Sequence, residues 1–147
     1  MTRGETMKLL ALDSEDLTVI SAMCQDSLLK LGDIQYLPRE KRLLVAMNRF
    51  AWDADLARQQ KNERRRSVLA LSRVEALQAR NINQENKDIV LSLLAIRFEP
   101  AAEPAGTVIL EFSGGAALAA KAECIEAQLT DLGAAWSTDN RPQHDLD

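Results

Sequence analysis

The chain has 147 residues, of which 46% are hydrophobic and 27% charged, and its net charge is −4. That is enough apolar surface to offset the conformational entropy of one domain, which excludes a chain disordered throughout. The longest apolar runs, such as Leu43 to Met47, fall far short of the roughly 20 residues that cross a bilayer.

Met1 to Leu12 carries Arg3 and Lys8 but no long apolar stretch, so no secretory signal is read and a cytoplasmic location is expected. Asp13 then stands as a helix N-cap, with Asp16 in the first turn and Leu12 able to pack on Leu17. Leu17, Ile20 and Cys24 keep helical spacing, which predicts a helix over 14–25. Past it the period changes to two: Leu29 and Leu31, then Ile34 and Tyr36 after a break at Gly32-Asp33. Pro38 to Lys41 reads as a turn, and Leu43 to Trp52 as a strand apolar on both faces.

Residues 53–66 are polar, end in Glu63-Arg64-Arg65-Arg66, and are expected to form a long exposed loop. Ser67 to Arg80 fits either period; it is read as strand because strand signals stand on both sides. Ile89 to Phe98 reads as a central strand, and Val108, Leu110 and Phe112 alternate in the next. Gly114-Gly115 suits a hairpin turn, after which Ala116 to Lys121 fits either strand or helix. From Ala122 to Leu132, the spacing of Ile125, Leu129 and Leu132 with Gly133 as a stop predicts a closing helix. The expected architecture is α+β: a single domain over 1–136 and a flexible C-terminal tail over 137–147. A curved antiparallel sheet or partly open barrel carries an N-terminal helix and a C-terminal capping helix.

The element order over residues 27–132 resembles that of pleckstrin-homology-like barrels. The segments Gly32 to Pro38, Asn48 to Trp52, Leu93 to Phe98 and Glu123 to Glu126 resemble, more closely, a small bacterial family of unknown function. Neither likeness implies an activity, because function resides in sites rather than in folds.

The chemistry-bearing residues are few. His144 is the single histidine, and it falls in the expected tail, which argues against histidine-centred catalysis or a histidine metal site. Cys24 and Cys124 show no paired spacing and read as small buried hydrophobes. No phosphate-binding glycine motif occurs, and no cofactor or metal is expected. Charge is split along the chain: residues 39–80 hold eleven Lys/Arg against five Asp/Glu, and residues 81–147 four against eleven. The basic group of Arg58, Lys61 and Arg64 to Arg66 reads as a solvated loop, with an anionic ligand or lipid as the alternative. Scarce aromatics, 4% of the chain, argue against nucleic acid.

Asn48-Arg49-Phe50-Ala51-Trp52 places two aromatics and a guanidinium near a strand end, the pattern of a protein-binding anchor. The expected function is therefore a non-catalytic binding or adaptor domain for a protein partner, self-association included, acting through Arg49, Phe50 and Trp52 or a sheet edge. The alternative is a module for an anionic small metabolite, using Arg49, Arg73 or Arg97.

Overall fold

In the computed structural model the described residues are 8–50 and 64–132, together with the backbone of 63 and of 136–137. The chain opens with strand β1 (Lys8–Ala11) and one α-helix, α1 (Ser14–Cys24). Asp13 accepts a hydrogen bond from the Asp16 amide at 2.8 Å, which satisfies one of the free donors at the helix start. Leu17, Ile20 and Cys24 are the buried stripe of α1.

The other regular elements among the described residues are antiparallel strands and two short 3-10 segments. β2 (Ser27–Lys30), a short 3-10 turn at Leu31–Asp33, β3 (Ile34–Leu37) and β4 (Arg42–Phe50) come first. β5 (Glu63–Leu71), β6 (Val74–Arg80), β7 (Val90–Pro100) and β8 (Gly106–Phe112) follow, then β9 (Ala117–Ala122), β10 (Ala127–Asp131) and β11 (Trp136–Ser137). The sheet runs β1-β10-β5-β4-β2-β7-β8-β9-β6, with β3 beside β4 and β11 beside β5. Gly114 and Gly115 turn β8 into β9 with φ of 75° and 78°, values that side chains with a Cβ rarely adopt.

β5 and β6 are successive in sequence yet far apart in the sheet order, and so are β9 and β10. The Ser72 amide donates to Glu126 O at 2.9 Å and the Glu123 amide to Arg73 O at 3.0 Å. These bonds bind the two crossovers side by side, so both strand pairs form one ribbon bent at this corner. Arg73 takes φ 63° to make the bend. α1 packs chiefly on β7, where Ser21 Oγ accepts from the Ile96 amide at 2.8 Å. The helix thereby occupies a β7 edge that the short β2 leaves uncovered. Beneath α1, inward residues such as Leu43, Val45, Met47, Leu69, Leu93 and Phe112 form the core.

Several expectations need correction. The α+β reading with a helix at each end does not hold: α1 is the sole α-helix among the described residues, and the molecule is mostly antiparallel sheet. The sheet is open, its path running between two ends, β1 and β6. Residues 127–131 are β10, not a capping helix, because Ala127, Leu129 and Asp131 all face inward at a period of two while Leu132 is exposed. The loop expected over 53–66 gives way to strand from Glu63 onward, and residues 51–62 lie outside the described residues. The strand read over 67–80 is two strands broken at Ser72-Arg73. β4 buries one face fully and the other only in part. Residues 138–147, expected as a tail, also lie outside the described residues. No helix among the described residues is long and apolar enough to cross a membrane.

Candidate functional site

Directly opposite residues of an antiparallel pair share a face, and the pairing register therefore locates the polar residues of β4, β5 and β10. Met47 lies opposite Ser67, Arg49 opposite Arg65, and Ser67 opposite Asp131. All these residues continue the inward rows that begin with Leu43, Leu71 and Ala127. Where the apolar layer ends, the rows turn polar and remain buried: Arg49 and Asp131 are each 3% exposed and Ser67 is fully buried.

Arg49 Nε donates to Asp131 Oδ1 at 3.2 Å and Nη2 to Oδ2 at 3.1 Å, a two-point clasp of the carboxylate. Ser67 Oγ donates to Asp131 Oδ1 at 2.6 Å, Arg49 Nη1 to Phe50 O at 3.3 Å, and Arg65 Nη1 approaches Asp131 Oδ2 at 3.6 Å. Burial pushes the Asp131 carboxyl up, but the hydrogen bonds from Arg49 and Ser67, with the charges of Arg49 and Arg65, outweigh it. The net result holds Asp131 below the usual carboxylate range, hence ionised. Burial pushes the nearby Cys24 thiol up to about 12, with Arg49 lowering it and Asp131 raising it further. A thiol so held stays protonated and is a poor nucleophile. Ser27 is fully buried, and its Oγ has no hydrogen-bond partner among the described residues. This inner cluster has the chemistry of a strand lock: it fixes the ends of β4, β5 and β10 to one another.

The opposite face of the same strand ends is different. Phe50 lies opposite Arg64, and the Arg64 guanidinium sits 3.9 Å from the Phe50 ring centroid. Arg64 Nη1 is screened from solvent and has no hydrogen-bond partner among the described residues. Next along, Arg66 is engaged, with Nη1 donating to Asn48 Oδ1 at 3.1 Å and Nη2 3.3 Å from Asp33 Oδ1. Phe50 is 37% exposed and Leu132 54%.

Of the sequence-derived candidates, the structure therefore brings Arg49 and Phe50 to one strand end but on opposite faces, while Trp52 lies outside the described residues. Arg73 sits at the far end of β5, 3.8 Å from Glu123 and 3.5 Å from Glu126. Arg97 on β7 donates to Glu111 Oε2 at 2.8 Å and to Glu99 Oε2. Arg58 and Lys61 are outside the described residues. Asp131, Ser67 and the Arg64–Phe50 stack were not singled out from sequence, although Ser67 and Asp131 do fall in phase with Leu69, Leu71 and Leu129. A shallow groove of about 370 Å³ elsewhere is lined by Leu12, Asp13, Phe98, Glu103 and Cys124 among others, and carries two carboxylates but no Lys, Arg or His side chain. No group of three or more His, Cys, Asp or Glu suited to a metal occurs among the described residues.

A family model described as "Protein of unknown function (DUF2948)" matches residues 7–144, nearly the whole chain. The chain belongs to this family. No curated protein and no solved structure matches it, so the resemblance to pleckstrin-homology-like barrels is unconfirmed, and it loses the closing helix over 122–132 on which it partly rested. Membership in DUF2948 agrees with the likeness to a family of unknown function carried by the Asn48 to Trp52 and Leu93 to Phe98 segments, and it brings no activity with it.

Proposed function

We propose that this protein is a non-catalytic binding domain that docks a protein partner through the outer face at the ends of β4 and β5. The observation that carries this is the Arg64–Phe50 stack: a phenylalanine 37% exposed, topped by an arginine without an acidic partner among the described residues. Aromatic and arginine side chains are the residues on which protein interfaces concentrate their binding energy. The inner cluster supports the same reading, because its carboxylate is neutralised by Arg49 and its thiol is held protonated. A sheet edge is the other docking mode that the sequence suggests. The outermost strand β6 carries exposed Glu75 and Arg80, charges that discourage strand addition. A small anion at Arg73 or Arg97 would have to displace the glutamates already paired there. Both described cysteines are free, which suits a reducing compartment and a cytoplasmic location.

The test is crosslinked capture from a native lysate using the 147-residue chain, its Phe50→Ser variant and its Arg64→Glu variant. A partner recovered with the unaltered chain and lost with both variants supports the reading. Recovery of the chain alone, or of the same partners with all three, overturns it.

A further inference from the structure

We propose that the face bearing Phe50, Arg64 and Leu132 takes an extended peptide segment in which an acidic side chain and a large apolar one stand two residues apart. This inference rests on the docking reading above and adds the chemistry of the partner.

Charge supplies the first half. Three arginines are consecutive on β5, but they are not equivalent. Arg65 belongs to the inner cluster with Asp131, and Arg66 is engaged by Asn48 and Asp33. Arg64 alone of the three meets an aromatic face and no acid among the described residues. Stacking uses the face of a guanidinium and leaves its edge donors to be satisfied, and with Nη1 screened from solvent the Nε–Nη2 edge is the fork that matches a carboxylate. A stacked guanidinium is also ordered in advance, so little rotamer freedom remains to be lost on binding.

Geometry supplies the second half. The Leu132 amide donates to Arg66 O at 2.7 Å, which sets Leu132 level with Arg66, two residues along β5 from Arg64. Two residues of strand span about 6.8 Å, the same repeat that separates alternate side chains on one face of any extended chain. A segment lying along β5 therefore presents an acid to Arg64 and, two positions on, an apolar side chain to Leu132. Phe50 flanks the acid's stem on one side. Arg64 is also in register with Trp136 of β11 on the other side.

A peptide fits this face better than a nucleic acid does. The net charge is −4 and residues 81–147 are strongly acidic, which repels a polyanion. The face also offers exposed leucine rather than a run of stacking rings.

The experiment is selection of a random 12-residue peptide display library on the 147-residue chain, with counter-selection on Arg64→Gln. Enriched peptides sharing Asp or Glu two positions from Leu, Ile or Phe are expected. Changing that acid to its amide in the leading peptide should weaken binding about tenfold in fluorescence anisotropy, the size of one charge-assisted hydrogen bond. Leu132→Ser should also weaken it, while thermal melts of both variants stay near that of the unaltered chain. No enrichment over Arg64→Gln, or enrichment of neutral or basic peptides, overturns the proposal. So does binding of single-stranded RNA or anionic vesicles that depends on Arg64 where the peptides fail to bind. If lysate capture depends on Phe50 but the peptides show no acidic preference, docking at this face stands and the acidic partner falls. If capture ignores Phe50, the docking reading itself fails.

Discussion

Replacing Asp131 by alanine while Arg49 stays in place leaves a guanidinium that is 3% exposed without its carboxylate. The variant loses the bonds from Arg49 Nε and Nη2 to the carboxylate and the 2.6 Å bond from Ser67, while Arg49 Nε keeps Ser67 Oγ at 3.2 Å. Removing one partner of a buried ion pair typically costs about 3–5 kcal/mol, because the remaining charge loses the carboxylate that balanced it. Against a total of about 5–15 kcal/mol for an ordinary domain, that is a large fraction. For a chain of this size it corresponds to a drop in Tm of roughly 10 °C. The companion variant Arg49→Met with Asp131→Leu removes the two buried charges and fills the space with apolar atoms, while Arg65, whose side chain is 31% exposed, keeps access to solvent. It is expected to recover to within about 1 kcal/mol of the unaltered protein, or to exceed it. Urea unfolding followed by far-UV circular dichroism measures both, with an unchanged m-value showing that the transition is the same one. A loss under about 1 kcal/mol for the single variant, or a double variant worse than the single, would refute the claim that this pair is buried and mutually dependent.

The same carboxylate predicts a pH effect. Its folded pKa lies below the ordinary 3.8, so the unfolded chain binds the proton more readily. The stability it contributes is complete above that ordinary value and is lost as pH falls toward the folded pKa; Asp131→Asn should flatten this acid limb in urea titrations. Ser67→Ala removes a donor to a charged acceptor and should cost about 1.5–3 kcal/mol. Ser27→Ala instead removes a buried hydroxyl without a partner and should leave stability equal or about 1 kcal/mol higher; a clear loss would show that the hydroxyl is satisfied. Gly106→Ala would place a Cβ against the Phe98 ring and 2.5 Å from Glu99 O, destabilising by about 1–3 kcal/mol. Trimming Phe98 to Leu should rescue only part of that in thermal melts, since the backbone oxygen remains. Disulfide-exchange reagents at about pH 8 should label Cys124, which is partly exposed, and spare Cys24 until the chain unfolds; equal labelling of both by mass spectrometry would contradict the burial of Cys24.

Features decided within a few residues were readable from the chain. Asp13 caps α1 because its carboxylate reaches an amide three positions on, and Gly114-Gly115 turns because glycine tolerates positive φ. The stretch 122–132 was misread for a physical reason. Ile125, Leu129 and Leu132 are spaced by four and three, as on a helix, while the true inward row of Ala127, Leu129 and Asp131 ends in a charged residue. A buried aspartate looks like a solvent-facing one until its partner is known, and Arg49 is 82 residues away. Arg64 to Arg66 looked like a solvated run for the same reason: their partners Phe50, Asn48 and Asp131 come from other strands and Asp33 from the 3-10 turn.

What the amino-acid sequence determined by itself is the size of the core, the helix start, the glycine turn and the two-residue period of the central strands. Each depends on local backbone preference or on composition. Only the tertiary structure decided which polar residues point inward, which arginines are already paired, and that the final segment pairs as a strand. Those outcomes depend on neighbours brought together across the sheet, and an ion pair or a ladder of hydrogen bonds exists only once both sides are in place.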